Sequence, residues 1–356
     1  VKRLLYLAGL LLLLFLQAAG ALEIVFLDVG QGTGVAIITD EKRAVVYDGG
    51  PPGTDVAGQL RELGVEEVAL VIASHGHADH IGGLPGVIEE FQPDFYMDNG
   101  LPHTTLAYER TLRAVQETGT RLLEPVLRTL TFDGVTLTVI PPPGIAAYGQ
   151  NDNSIGLRID HGTFSAVLPG DAERAEWEWW LRNHEDLFTG VDVFLASHHG
   201  SRNGDIAEGL AAMSPSVVVI SLGEDNVYGH PHRAAFELYA DADVMRTDEQ
   251  GRITVSVNRD DGYTVVSERA GSAAALLVTD DAEYCVDLNT ADLEELQRII
   301  HIGPARALAV IEWRPFTRVE ELGRINGIGK TRLVDVLEQG KACVSPPAGE
   351  EIPSLP

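Results

Sequence analysis

The stretch Ala73–Gly83, ASHGHADHIGG, decides the reading of this chain. Three of its 11 histidines and one aspartate crowd together there: His75, His77, Asp79 and His80. The apolar run VALVI precedes them, so a strand leads straight into the cluster. Residues two apart on an extended backbone share a side, which places His75 with His77. Asp79 and His80 then turn back from the following loop. Gly82 and Gly83 let the backbone bend closely beneath them. This spacing suits two metal ions, with His75 and His77 on one and Asp79 and His80 on the other. A lone histidine is most often structural; four ligand-type residues so spaced rarely arise by chance.

A metal pair needs further ligands, and later strand ends offer them. LPGDAE places Asp171 after the strand FSAVL, where a carboxylate can bridge two ions. SHHGS places His198 and His199 after VDVFL, and YGHPH adds His230 and His232. Mixed imidazole and carboxylate donors suit Zn²⁺ or Mn²⁺ and do not choose between them. Together these residues favour a hydrolytic centre with two divalent ions.

A chain of 356 residues predicts two domains. Alternating strands and helices fill 22–268, an α/β pattern of layered sheets flanked by helices. Helical spacing falls at 55–64, 104–118, 172–184 and 232–240. A hairpin is expected to turn at Asp261-Gly262. Residues 269–285 read as a linker, 286–340 as a purely helical domain, and 341–356 as a disordered, Pro-rich tail. The opening VKRLLYLAGLLLLLFLQAAGALE reads as an export signal over 1–21, with an uncleaved anchor as the alternative. Export to a secreted or extracytoplasmic location would let the two cysteines, Cys285 and Cys343, form one disulfide; two buried thiols are the alternative.

The net charge is −27. Residues 1–285 carry 42 acids against 18 bases, whereas 286–340 carry nine against seven. An acidic surface repels nucleic acid at long range, so any DNA function must rest on metal ions and backbone amides. The helical part offers such amides. IIHIGPARA and INGIGKTRL repeat one design: a helix, a hydrophobic-Gly turn and a second helix. Gly303, Gly327 and Gly329 open turns beside helix N-termini, which suits a phosphate. Arg306, Lys330 and Arg332 stand just beyond, as cationic contacts. Trp313, Phe316, Leu322 and Ile325 read as core at helical spacing, and Trp177, Trp179 and Trp180 as helix packing. The loop VGQGTG lacks the spacing of a phosphate loop.

The pieces FLDVGQGTG, YDGG, SHGHADHIGG, NDNS, LPGDAE, SHHGS, YGHPH and RTDEQGRI occur in order over 22–268. As a set they resemble the metallo-β-lactamase fold, in the branch found in ComEC-type DNA-uptake proteins. The resemblance implies an αββα sandwich with the metals at one edge. It implies ligands at His75, His77, Asp79, His80, Asp171 and one residue of SHHGS, His199 first and His198 second. Asp79, His199 and His230 are its candidate catalytic residues, His230 for phosphate binding, proton transfer or the last ligand. Asp28 and Asp48 are expected to orient ligand histidines. Where many members carry another ligand histidine, this chain reads GQNDNSIG, with Asn151, Asn153 or Ser154 in its place. The helical part resembles a tandem helix-hairpin-helix domain of the ComEA type, which grips the DNA backbone without reading sequence. His301 stands where the first hairpin's leading glycine is expected.

The combined expectation is an exported, metal-dependent DNase or phosphodiesterase. A small-molecule ester or lactone hydrolase and a non-catalytic DNA receptor are the alternatives.

Overall fold

The computed structural model describes residues 22–224, 226–258, 262–269, 276–278, 286–339 and 342–344. The expected export segment, the hairpin tip at Asp261 and Cys285 lie outside them. The chain divides into two units, residues 1–280 and 281–356.

Strand side chains alternate between opposite faces, and in the first unit both faces are apolar. In Glu67–Ile72, Leu70 and Ile72 enter one core while Val68 and Val71 enter another. The central core joins Ile24, Val35 and Tyr47 of one sheet to Leu137, Leu157 and Val219 of a second. The outer face of the first sheet is covered through Leu60, Leu84 and Val87 of the helices Val56–Glu62 and Leu84–Phe91. The outer face of the second is covered by Trp177 and Trp180 of Arg174–His184. The result is the expected αββα stack, with the inner faces of both sheets removed from water and the edge strands Arg121–Leu122 and Arg128–Phe132 partly exposed.

Two runs of parallel pairing position the site. Arg43–Gly49 pairs parallel with Glu67–Ile72 in the first sheet. In the second, Phe164–Leu168, Val193–Leu195 and Val217–Ile220 lie parallel in that order. Parallel strands deliver their carboxyl ends together, and the turns beyond those ends carry the polar residues.

Two boundaries differ from expectation. Leu276–Val278, inside the expected linker 269–285, is a strand antiparallel to Gly262–Ser267. Its apolar LLV triplet extends the sheet edge. Ala342–Cys343, inside the expected disordered tail, pairs parallel with Val286–Asp287, and Cys343 is disulfide-bonded.

The second unit has its own core, including Leu288, Leu296, Ile302, Val310, Phe316, Leu322 and Ile328. Its two hairpin turns share a backbone feature and a hydrogen bond. His301 and Gly327 both take left-handed backbone, φ 66° and 86°. Arg306 Nη1 donates to the His301 carbonyl at 2.7 Å, and Arg332 Nη1 to the Gly327 carbonyl at 2.7 Å. The departure at His301 therefore leaves the turn geometry intact. Trp313 was expected in this core but is 45% exposed, with the Arg324 guanidinium 4.9 Å from its ring centroid. The cation covers the ring in place of apolar neighbours.

Candidate metal centre

His75 follows the strand Glu67–Ile72 and is fully buried. His77, extended at φ −73° and ψ 148°, caps the one-turn helix Ala78–Ile81 that carries Asp79 and His80. That tight turn needs room. A Cβ on Gly32 would lie 2.1 Å from the Asp79 carbonyl, and one on Gly82 2.1 Å from Pro52 N. The glycines let neighbouring loops close on the ligand turn, and Thr33 N donates to the Asp79 carbonyl at 3.1 Å.

Two groups of three ligand atoms form: His75, His77 and Asp171, and Asp79, His80 and His199, each set within 4.8 Å. Asp171 reaches both. Its Oδ1 lies 3.0 Å from His80 Nε2 and 3.6 Å from His199 Nε2; its Oδ2 lies 3.8 Å from His75 Nε2. Asp79 Oδ2 is 3.5 Å from His199 Nε2, and His75 Nε2 is 3.0 Å from His77 Nδ1.

Three buried imidazoles, a half-buried fourth and a buried carboxylate without cations would be costly, and their unmet valences say what fits. His80 Nε2, His199 Nε2 and Asp171 Oδ1 are buried and make no hydrogen bond. The opposite ring nitrogens are committed. His80 Nδ1 donates to Asp48 Oδ2 at 2.7 Å, and His199 Nδ1 to the Ser221 carbonyl at 2.9 Å. Such back-bonding fixes the tautomer and leaves Nε2 as a donor to a cation. Asp48 is itself held by Ser74, whose N and Oγ donate at 2.7 and 2.8 Å. The donor set fits divalent ions.

The electrostatics agree. Burial, then the nearby His80, hold His75 well below its ordinary pKa, so it stays neutral. Burial also opposes charge on His80, but Asp171 and Asp48 outweigh it and raise that pKa well above the usual value. The carboxylates that favour a proton there favour a cation equally. Asp171 is buried, yet His80 and His199 hold its carboxyl well below the usual range.

The turn Ser197–Gly200 is strained. His198, His199 and Gly200 are left-handed in succession, at φ 50°, 55° and 73°. Of the two histidines, His199 joins a ligand group. His198 turns aside: Nδ1 meets Glu173 Oε1 at 3.0 Å, while Nε2 stays 3.8 Å from Asp171 Oδ2. His230 stands outside both groups, its ring 5.7 Å from His198 and 6.3 Å from His199. Burial and the rings of His199, His198 and His232 push its pKa to about 4.

The expected supporting residues divide. Asp48 accepts from His80 Nδ1, the contact that an orienting residue would make. Asp28 does not reach a ligand, because its carboxylate is engaged elsewhere: it accepts from Gly30 N at 3.4 Å and pairs with Arg269 at 2.5 Å. Ser154 Oγ accepts from Asp171 N at 3.1 Å and so fixes the backbone that carries the shared carboxylate. Asn153 serves its own loop, bonding Ile145 and Gly149. Sequence reasoning missed Ser74 and Glu173, which stand inside quoted motifs but are not ligand types in them, and Glu176, Asp205 and Ser221, which have no motif around them. His103, whose ring lies 5.4 Å from His77, was equally silent.

Residues 27–224 match the metallo-β-lactamase superfamily, and residues 282–338 match the helix-hairpin-helix motif. The chain belongs to the metallo-β-lactamase superfamily and has its hydrolase fold, joined to a helix-hairpin-helix DNA-binding motif. ComE operon protein 3 of Bacillus subtilis (strain 168) is 28% identical over 203 residues, 54% of this chain and 25% of that protein. A deoxyribonuclease of Thioalkalivibrio sp. (strain K90mix) is 42% identical over 69 residues, 19% of each chain. The metallo-β-lactamase fold protein YhfI from Bacillus subtilis aligns with 64% of this chain and 95% of its own, at 15% identity and a TM-score of 0.41. The chain spans about a quarter of the length of ComE operon protein 3.

Proposed function

We propose that this protein is an exported, metal-dependent nuclease that hydrolyses DNA phosphodiester bonds, while the hairpin unit holds the DNA backbone without reading sequence. One observation carries this reading: two facing ligand groups share Asp171 in a chain that also contains a hairpin pair. His75, His77 and Asp171 would hold one ion, and Asp79, His80, His199 and Asp171 the other. Two divalent ions there, Zn²⁺ or Mn²⁺, would lower the pKa of a water and offset the charge of a phosphodiester and its transition state. An acidic enzyme acting on a polyanion needs that neutralisation.

The chain's own groups supply the rest. Asp48 and Ser221 keep His80 and His199 in the ligating tautomer. Ser154 holds Asp171 between the two groups. His230, neutral at pH 7 by its lowered pKa, is placed to hydrogen-bond a phosphate oxygen beside them. It is unsuited to storing a proton at that pH. On the hairpins, the amides at Gly303 and Gly329, with Lys330 and Arg332, would meet backbone phosphates. The disulfide-bonded Cys343 supports an oxidising, extracytoplasmic location. The names of the relatives, a deoxyribonuclease and a ComE operon protein, point the same way.

The test is cleavage of plasmid and of single-stranded oligonucleotide with Mn²⁺ or Zn²⁺, together with metal content. Loss of an outer partner of a metal ligand costs ~10–100-fold, so His77→Ala should lose at least that much activity and bind less metal. Equal cleavage by both proteins would eliminate the reading. Turnover of esters or lactones with no DNA cleavage would replace it.

A further inference from the structure

Residues Asn226–His230 form a loop at the edge of the metal centre. Asn226 closes it: Nδ2 donates to the Gly223 and His230 carbonyls at 3.0 and 2.9 Å, and Oδ1 accepts from His230 N at 2.9 Å. The loop is fastened to the strained ligand turn by His232 N, which donates to the Gly200 carbonyl at 2.9 Å. The polar residue is thus spent on holding the loop, and the tip is apolar. Val227 is 90% exposed and Tyr228 is 61% exposed.

The Tyr228 ring is not idle. One face stacks on His230, with centroids 5.6 Å apart and planes at 25°. His230 in turn lies edge-on to His198 at 5.7 Å. An ordered series of rings therefore runs outward from the ligand turn and ends on an open aromatic face. Leaving such a face in water forfeits the gain from burying it, and a loop this well pinned has already met the cost of ordering.

Charge makes the face more useful. Residues 1–285 hold 42 acids against 18 bases, so this part of the chain attracts a polyanion poorly. Stacking on a base needs no net charge and tolerates any sequence. We infer that Tyr228 is a base-stacking, substrate-positioning residue: its open face receives a nucleobase of the strand whose phosphodiester lies over the metal-binding side chains. This rests on the nuclease reading. The base would belong to a nucleotide close to the scissile bond, and a duplex would have to fray to offer it. Single strands are therefore the preferred substrate at this face.

The experiment compares the full-length wild type, Tyr228→Ala, Tyr228→Phe and Tyr228→Trp with Mn²⁺. One substrate is a single-stranded oligonucleotide; the other is the same backbone with a central run of abasic residues. Loss of one base–aromatic stack corresponds to ~5–150-fold. The ratio of wild-type to Tyr228→Ala kcat/KM should be about tenfold larger on the base-bearing strand than on the abasic run, and largely in KM. Tyr228→Phe and Tyr228→Trp should keep the wild-type ratio. Equal ratios on both strands overturn the inference, because a purely structural role costs both alike. A second arm in EDTA follows quenching of 2-aminopurine in the same strand. Quenching that Tyr228→Ala abolishes supports the stack even if no cleavage occurs, in which case the nuclease reading alone fails. Cleavage with unaltered quenching in Tyr228→Ala overturns the stack and leaves the nuclease reading standing.

Discussion

Asp205 sits buried beneath the Ser197–Gly200 turn, where its carboxylate accepts from Ser197 N and from the Tyr239 hydroxyl. Non-glycine residues in left-handed backbone cost roughly 1–2 kcal/mol each, so His198 and His199 need such anchors. Trp177 Nε1 adds another on Ser197 Oγ at 3.2 Å. Burial pushes the Asp205 carboxyl up to about 7, against the pull of the Tyr239 and Ser197 hydrogen bonds. An unfolded aspartate titrates near 4, so the folded protein binds the extra proton between about pH 4 and 7. The associated stability is present below that window and is lost as pH rises through it. Asp205→Asn has no such proton to lose. In thermal melts from pH 5 to pH 8, wild type should lose several degrees relative to Asp205→Asn, at about 2–4 °C per kcal/mol. A constant difference between the two proteins would refute the assignment. At this scale the clustered side chains were legible, with Asp48 and Ser154 behind them, and the remaining supports were not. A histidine in HGHADH announces itself by company, whereas Asp205 is one acid in a loop and acquires its role only when the chain folds over it.

The helix Arg174–His184 begins at Glu173, whose side chain makes no capping bond to its own helix. The cap arrives from another loop: Asp152 Oδ1 accepts from Glu173 N and Glu176 N, both at 3.0 Å. Glu176 answers by accepting from Ser154 N at 3.0 Å. This is a capping box divided between two segments. Apolar spacing was enough to predict a helix over 172–184, because Trp177 and Trp180 repeat on one face. Its start signal lay some twenty residues upstream, out of reach of any local pattern. The Asn151–Ser154 segment, read in sequence as the place of an absent histidine, acts as a joint. It caps this helix, holds Asp171 through Ser154, and lets Asn151 Nδ2 donate to Glu173 Oε1 at 3.1 Å beside His198. Removing a cap acceptor costs about 1 kcal/mol, so Asp152→Ala should melt about 2–4 °C lower, while Asp152→Asn keeps most of that stability. An unchanged melting temperature in Asp152→Ala would show that the cap is not needed.

For the whole molecule, the question is how a chain of net charge −27 would hold a polyanion, as the proposed function requires. The near-balanced residues 286–340 supply few cations, and not all of them are available for phosphate. Arg306 is partly buried, bonds the His301 carbonyl, and lies where a Cβ on Gly327 would come within 2.9 Å of its Nη2. That makes Arg306 a structural tie between the two turns. Lys330 is exposed at the start of its helix, while the matching position of the first hairpin is Pro304, which has neither a cation nor an N–H. The two hairpins are thus alike in fold and unlike in chemistry, a difference the repeat itself made readable. With so few phosphate contacts, DNA affinity should fall only shallowly with salt, and each lost cation should reduce the slope of log affinity against log salt by about 1. Lys330→Ala should therefore weaken DNA binding, measured in EDTA by fluorescence anisotropy across a salt series, while hydrolysis of bis(p-nitrophenyl) phosphate with Mn²⁺ stays at the wild-type rate. His77→Ala should do the reverse, losing hydrolysis while binding DNA as wild type does. If Lys330→Ala leaves binding and its salt slope unaltered, the DNA is held elsewhere, and the hairpins serve this enzyme only as packing.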